Sequence, residues 1–255
     1  MMPTLANPLG YAELQSVADF NDAILASTGL FWDAPPAWPD DNQVEASPDV
    51  VASGRHLISR HFSKGVWFVK DPRLCIVLPV WRQMLVDRAV VVFSHRNALD
   101  VAWSLHVRDR LSMSVGIALW AAYHRHLAHH ASGLGAIALD YDALVERPPE
   151  VAAEFVAALG RFGLVADADP AAVAAQVADD LRRRSIPSRY AADDVPTLRD
   201  VLPDFPDGAV ASFERLDLAI ARPHPWEADL LDEHRALRSL AAGHAAGRGN
   251  PASGD

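Results

Sequence analysis

The chain has 255 residues, of which 50% are hydrophobic, and it carries a formal net charge of −10 and one cysteine. This length and apolar content fit one domain with a sizeable core and exclude disorder of the whole chain, while the acidic balance argues against nucleic acid and membrane surfaces as partners, since both attract basic proteins. The lone Cys75 cannot form a disulfide within the chain, and no leader peptide or transmembrane run is evident, so we expect a cytoplasmic protein.

Periodic apolar residues and capping signals predict an alternation of helices and strands along the chain. Helices are predicted over 11–28, from Pro48 towards Gly65, over 74–85, from the end of the second strand to about 109, over 112–132, after Pro149, after Pro170, over 207–221 and over 226–242. Strands are predicted over 66–69, 89–94 and 136–139. Because helices separate the strands, we expect crossover connections and a parallel sheet. Residues 1–246 are predicted to form a single α/β domain, and residues 247–255 a disordered tail.

Two of the predicted strands end in basic sequences. Residues 66–69 run into a segment that contains Lys70 and Arg73, and residues 89–94 are closely followed by Arg96. In open α/β sheets, ligands bind beyond the carboxyl ends of the strands, where helix amino-termini present N–H groups to negative charge. The three basic side chains would strengthen such a site. The sequence therefore predicts an anion site at this edge of the sheet.

The same segments resemble the motifs of sulfotransferases that use 3′-phosphoadenosine 5′-phosphosulfate. Residues 70–73 (Lys-Asp-Pro-Arg) are similar to the family's second-strand motif, and residues 96–104 are similar to the segment whose leading Arg and following Ser hold the nucleotide 3′-phosphate. Residues 140–145 resemble the family's later Tyr-(Glu/Asp)-x-Leu at a strand end. Linkers of bacterial members are similar to residues 7–11 and 32–36. The resemblance covers most of residues 7–190 in one consistent order.

The resemblance implies a P-loop kinase-like fold, with three layers around a parallel sheet and a helical C-terminal extension. It implies that Lys70 is catalytic and stabilises the charge that builds on the leaving nucleotide as the sulfonate moves to a hydroxyl or amine acceptor. It also implies that the phosphosulfate nucleotide, a co-substrate used without a metal, is bound by Arg73, Arg96, Ser104 and Tyr141. From the residues alone, Lys70 and Arg96 could instead pair with nearby carboxylates, and Tyr141 could serve packing.

The start of the chain departs from the family pattern. Family members open with a strand and a loop rich in Gly, Ser and Thr around the 5′-phosphosulfate, and residues 1–10 hold neither. We therefore expect a sheet that lacks this first strand, with residues 66–69 or 136–139 left without a partner. A non-catalytic remnant, or a nucleotide-binding protein that keeps only the 3′-phosphate half-site, is the alternative function. A P-loop kinase relative would need Mg²⁺-binding carboxylates near a Walker-type loop, and the sequence shows none.

Several histidines are candidates for chemistry. Deprotonation of an acceptor hydroxyl needs a general base, and the candidates are His56, His61 and Asp71. One predicted helix carries four histidines, which are His124, His126, His129 and His130. Their spacing could suit a metal, but they lack the accompanying Glu of zinc proteases, so a solvated helix face is the preferred interpretation.

Late segments of the chain give weaker signals. The basic run 182–184 fits the C-terminus of a helix better than a phosphate site, because cations there complement the helix dipole. Loops are where substrate specificity usually lies. We therefore expect residues 30–46 and 186–206 to contribute to an acceptor pocket.

Overall fold

The computed structural model of the chain describes residues 13–41, 44, 46–62, 65–85, 89–164, 169, 171–172, 175–176, 179 and 195–248. Its helices are α1 (Gln15–Ser27), α2 (Pro48–His61), α3 (Leu74–Met84), α4 (Ala98–Asp109), α5 (Met113–Ala131), α6 (Tyr141–Glu146), α7 (Pro148–Arg161), α8 (Leu198–Val201) and α9 (Pro225–Arg248). Its strands are β1 (Val90–His95), β2 (Gly135–Asp140) and β3 (Val210–Phe213). The protein is therefore of the α/β class, as the sequence predicts.

The three strands form one mixed sheet in the order β1-β2-β3. β1 and β2 are parallel, with Val90 opposite Gly135 and His95 opposite Asp140. β3 runs antiparallel to β2, so the prediction of a parallel sheet is correct for one pair of strands and wrong for the other. Because β2 has a neighbour on each side, the expectation that residues 136–139 lack a partner is also wrong.

The predicted strand at 66–69 does not belong to this sheet. Val66 and Phe68 are 73% and 67% exposed, and the ring of Trp67 stacks on Phe62 at a centroid distance of 4.8 Å. The apolar residues that predict a strand thus alternate between solvent and the end of α2. A strand also needs a neighbour for its backbone hydrogen bonds, and no strand of the described residues lies beside this segment.

The sequence prediction for 207–221 is wrong, since this region contains β3 and no helix. Gly208 has a φ of 128°, a conformation that glycine adopts readily, and it leads the chain into the strand. Residues Val210–Phe213 then pair with Ala136–Leu139 at the second edge of β2. This pairing satisfies backbone groups of the central strand that would otherwise be buried without partners. Tertiary pairing therefore overrides the weak helical pattern of the segment.

The other helices that the sequence predicts in the described residues are present and agree to within a few residues, except that α9 continues from the predicted end at 242 to Arg248. α6 and α8 were not predicted, and α8 lies within the predicted loop 186–206. α2 and α5 begin at the predicted caps, where the hydroxyls of Ser47 and Ser112 accept hydrogen bonds from the N–H groups of Val50 and Val115. α3 retains Pro79 in its interior. None of the helices in the described part of the chain is long and apolar enough to cross a lipid bilayer.

Some predictions fall outside the described residues. They concern residues 1–12, much of the helix after Pro170, the basic run 182–184, residues 186–194 of the predicted loop 186–206, and the tail from 249 onwards. Residues 247 and 248, predicted to begin the disordered tail, belong to α9.

α5 is the central helix of the fold, and it packs against α3, α4 and α9. Its contact with α4 is close because residue 116 is a glycine: a Cβ there would lie 2.7 Å from Ala102 Cα. Its contact with α9 includes an ion pair in which Arg125 Nη1 lies 2.6 Å from Glu227 Oε2, and both side chains are almost fully buried. α5 therefore links the sheet side of the protein to the C-terminal helix.

The proline-containing segment 33–37 is buried between α5 and α9. Side chains of both helices donate hydrogen bonds to its carbonyls and to that of Trp32: Tyr123 to Trp32, Arg235 to Ala34 and Pro35, and His126 to Pro36. These bonds satisfy backbone oxygens that burial removes from water. This part of the predicted acceptor loop 30–46 is therefore held inside the protein by structural contacts.

Candidate functional site

The carboxyl ends of β1 and β2 lie side by side because the two strands are parallel and in register. β1 is followed by Arg96 and then α4, and β2 is followed directly by α6, which starts at Tyr141. Such an edge is where α/β proteins bind ligands. We call the side chains of His95, Arg96, Asp140 and Tyr141 the strand-end cluster.

Arg96 lies at the centre of the strand-end cluster. Its guanidinium carbon is 4.5 Å from the centroid of the Tyr141 ring, and its Nε is 3.7 Å from Asp100 Oδ2. The Arg96 carbonyl accepts a hydrogen bond of 2.9 Å from Trp120 Nε1, which fixes the backbone against α5. The cation–π contact holds the guanidinium over the neighbouring strand end. The structure thus brings two of the predicted nucleotide ligands, Arg96 and Tyr141, into direct contact.

Ser104 lies on the exposed surface of α4, eight residues after Arg96. Asp100 and Ser104 are four residues apart and therefore share one face of the helix. Since Asp100 also contacts Arg96, Ser104 lies on the Arg96 side of α4, about one 5.4 Å turn beyond Asp100. The placement is compatible with the predicted role of Ser104 as a second phosphate ligand, although the phosphate would have to span that turn.

Lys70, the predicted catalytic residue, is paired with a carboxylate at the start of α1. Its Nζ donates a hydrogen bond of 2.6 Å to Glu13 Oε1. The side chain of Glu13 is only 6% exposed, whereas that of Lys70 is 43% exposed. Lys70 therefore forms a salt bridge, but its partner Glu13 is distant in sequence and is not one of the nearby carboxylates that the residues alone suggested.

Arg73 is enclosed by two carboxylates. Its Nη1 lies 3.0 Å from Asp71 Oδ2, and its Nε lies 2.6 Å from Asp22 Oδ1 on α1. Burial works to lower the pKa of Arg73, but Asp71 and Asp22 outweigh burial and raise that pKa above its ordinary value. The guanidinium is therefore always charged, and its charge is balanced locally.

The predicted site residues thus differ in their surroundings. Lys70 and Arg73 contact acidic side chains in or beside α1, whereas Arg96 and Tyr141 contact each other at the strand ends. Phosphate binding by Lys70 or Arg73 would have to compete with carboxylates 2.6 to 3.0 Å away. The contact of Arg96 with Asp100 is looser, because 3.7 Å exceeds the length of a strong charge-assisted hydrogen bond.

The sequence predictions missed the second pair of the strand-end cluster, His95 and Asp140. His95 Nε2 lies 3.5 Å from Asp140 Oδ2, and the other Asp140 oxygen accepts a 2.7 Å hydrogen bond from Ala143 N–H at the start of α6. The His95 ring packs edge-on against Phe205. Burial lowers the pKa of His95, while Asp140 and Asp142 act to raise it. Each residue directly follows a predicted strand, so a parallel pairing of the two strands would have been the signal that brings these side chains together.

The interpretation of the α5 histidines as a solvated face is wrong for His126 and His130. Both are buried: His126 Nε2 donates to Pro36 O and His130 Nδ1 donates to Cys75 O, each over 2.9 Å. Burial lowers the pKa of His126 to about 3 and that of His130 to about 4. These side chains are therefore neutral donors that satisfy buried carbonyls.

Neither the metal nor the base candidates point to a catalytic group. In the described residues there is no group of three or more His, Cys, Asp or Glu side chains that could hold a metal ion. Of the candidate bases, His56 and His61 are exposed on α2, and Asp71 is buried against Arg73. None of these three belongs to the strand-end cluster.

Comparisons with known proteins do not identify a family. No protein-family model matches the chain, and no similar curated protein or solved structure was found. Function must therefore be argued from the strand-end cluster and from the sequence motifs that it contains.

Proposed function

We propose that the protein binds a 3′-phosphoadenosine nucleotide at the strand-end cluster and, in the manner of sulfotransferases, transfers a sulfonate from 3′-phosphoadenosine 5′-phosphosulfate to a hydroxyl or amine acceptor. In this proposal the sheet edge and its flanking helices are the remnant of a P-loop kinase-like arrangement. Arg96 binds the 3′-phosphate, Ser104 and Arg73 support the phosphates, and Tyr141 lies beside the nucleotide. Lys70 stabilises the leaving group, and the protein acts in the cytoplasm.

The observation that carries the proposal is the position of Arg96 over Tyr141. A planar guanidinium can bind a phosphate with two parallel hydrogen bonds, and its fixed orientation limits the entropy lost on binding. A phosphate oxygen in hydrogen-bond contact with Arg96 Nε would lie closer to it than Asp100 Oδ2, which is 3.7 Å away. The motif resemblance of residues 96–104 and 140–145 supplies the identity of the phosphate.

A second candidate function is nucleotide binding without sulfonate transfer. It is favoured by the ion pairs of the predicted transfer residues, since Lys70 is held by Glu13 and Arg73 by Asp71 and Asp22. To stabilise the charge on the leaving oxygen, Lys70 would have to break its salt bridge with Glu13, or Glu13 would have to enter the site together with Lys70. Both candidate functions have Arg96 bind the 3′-phosphate, but only sulfonate transfer requires Lys70 to act on the leaving group.

Calorimetry with adenosine 3′,5′-bisphosphate and adenosine 5′-monophosphate tests the nucleotide site. Arg96→Ala should weaken the bisphosphate by roughly 2–4 kcal/mol, the range for loss of a charge-assisted partner, and should leave the weaker monophosphate unchanged. Arg96→Lys should recover only part of the affinity because the fork geometry is lost. Equal binding of the bisphosphate by wild type and Arg96→Ala would refute the assignment.

Arg161→Ala is the matched control for these measurements. Arg161 ends α7, and the following Phe162 ring lies against Gly135 at the opposite end of β2 from Asp140. The control removes the same charge without touching the strand-end cluster, so it should bind the bisphosphate like wild type. An assay with labelled phosphosulfate donor and a panel of hydroxyl and amine acceptors then separates the two functions. Bisphosphate binding without any labelled acceptor supports nucleotide binding without sulfonate transfer.

A further inference from the structure

The charges at the strand ends do not suit a phosphate dianion as they stand. Arg96 is the cation of the strand-end cluster, and three carboxylates lie at the same edge, on Asp100, Asp140 and Asp142. These carboxylates would oppose the binding of an anion, although Arg96 is well placed to donate hydrogen bonds to it. A further positive charge at this edge would favour the binding of a dianion, because like charges at this range repel strongly.

His95 is the group that can supply this charge. It is the neighbour of Arg96 at the end of β1, and its side chain is 15% exposed, so it lies at the boundary between core and solvent. Histidine changes its charge near neutral pH in response to modest changes in surroundings. Asp140 Oδ2 lies 3.5 Å from His95 Nε2 and would stabilise the imidazolium.

None of the other described groups around His95 can take this role. Phe205 contributes only an aromatic ring, and Asp142 adds negative charge. His124 on α5 senses the charge of His95, but burial lowers the pKa of His124 to about 4, and its Nδ1 donates to Trp120 O over 2.7 Å. His124 therefore stays neutral at physiological pH.

We propose that the ligand site extends to His95 and Asp140, and that His95 gains a proton when a phosphate group binds beside Arg96. The inference rests on the proposed nucleotide site and adds a residue to it. In the free protein His95 is neutral at pH 7, since burial holds its pKa below the ordinary value. The bound dianion raises that pKa, so binding is coupled to the uptake of a proton from solvent.

Calorimetry in buffers of different ionisation enthalpy measures this proton directly. Adenosine 3′,5′-bisphosphate is titrated at pH 7 into wild type, His95→Gln and the control His129→Gln, which replaces an exposed α5 histidine 3.8 Å from Asp40. Wild type and His129→Gln should take up roughly half a proton more than His95→Gln, because a tenfold effect on affinity corresponds to a shift of about one pKa unit in a single group. The affinity loss of His95→Gln should be about tenfold at pH 6 and small at pH 8.5, as expected for one nearby charge.

A second measurement uses the wild-type protein alone and so does not depend on the folding of a variant. NMR titration of the His95 ring should give a higher pKa in the bisphosphate-saturated protein than in the free protein. If the bisphosphate does not bind, the proposed function and this inference both fail. If it binds through Arg96 but the His95 pKa and the proton count do not change, the inference fails and the nucleotide site stands.

Discussion

Arg125 and Glu227 form a bidentate ion pair that is buried between α5 and α9. The two N–O distances are 2.6 and 3.3 Å, Arg125 Nε donates to Ala221 O, and Glu227 accepts from the His224 N–H. Every polar atom of the pair thus has a partner inside the protein. The pair fixes α9 against the central helix, and it does so without contact with solvent.

Removal of one partner should therefore be costly. Arg125→Met leaves the Glu227 carboxylate buried and without its cation, and we expect a loss of about 3–5 kcal/mol in the free energy of unfolding. The double variant Arg125→Met/Glu227→Met should recover part of this loss, because no buried charge remains. Urea unfolding measures the single and the double variant.

Arg82→Met is the control, since Arg82 donates only to carbonyls of His130 and Ser132, and it should cost about 1–2 kcal/mol. Equal losses for Arg82→Met and Arg125→Met would contradict the special role of the pair.

The Lys70–Glu13 pair allows stability and catalysis to be separated. Because Lys70 is 43% exposed, solvent screens the pair, and Lys70→Met should cost only about 1 kcal/mol in unfolding free energy. Glu13→Gln should offset most of that cost in the double variant, since the carboxylate that Lys70 neutralised is also removed. Under the sulfotransferase proposal, sulfonate transfer stays abolished in both variants, whereas bisphosphate binding changes little. Recovery of transfer in the double variant would exclude Lys70 as the catalytic residue.

The sequence predicted those parts of the fold that depend on local signals. The caps Ser47 and Ser112 fixed the starts of α2 and α5, and the apolar runs before His95 and Asp140 located β1 and β2. Both effects act within a few residues, so a single sequence contains them.

The remaining features depend on partners that are distant in sequence. Residues 66–69 have the composition of a strand, but no described strand lies beside them to accept their hydrogen bonds. β3 instead pairs with the free edge of β2, although its own sequence predicts a helix. At the site, the motif indicated Arg96 and Tyr141. It did not indicate Glu13 as the partner of Lys70, or His95 as the partner of Asp140. Pairings across 57 or 45 residues follow from the assembled fold and not from spacing.

The close approach of α4 and α5 predicts a specific steric effect. In Gly116→Ala the new Cβ would lie 2.7 Å from Ala102 Cα and 2.8 Å from Ala102 Cβ, so the helices must separate, and we expect a loss of about 1–3 kcal/mol. Gly160→Ala in α7 is the matched control, because nothing lies within 4 Å of its Cβ position. That change should be neutral or stabilise the protein by up to about 1 kcal/mol through helix propensity. Thermal unfolding that ranks the two variants in the opposite order would exclude close helix packing at Gly116.

The buried histidines of α5 predict that the protein loses stability in mild acid. Burial lowers the pKa of His126 to about 3 and that of His130 to about 4, below the ordinary value of 6.5. The unfolded chain therefore binds protons more readily than the folded protein. Their contribution to stability is complete above pH 6.5 and is lost as the pH falls towards 4. Between pH 7 and pH 5, each histidine should cost on the order of 2 kcal/mol.

Variants that keep the hydrogen bond but cannot titrate isolate this effect. His126→Gln places an amide near the position of Nε2, and His130→Asn places one near Nδ1, so each can still donate to its carbonyl, Pro36 O or Cys75 O. The unfolding free energy of each variant, measured in urea from pH 5 to pH 8, should depend less steeply on pH than that of wild type. His244→Gln, at an exposed position of α9, should leave the wild-type slope unchanged. Because all other titrating groups are common to these proteins, parallel curves for wild type and both buried variants would mean that the acid sensitivity has another origin.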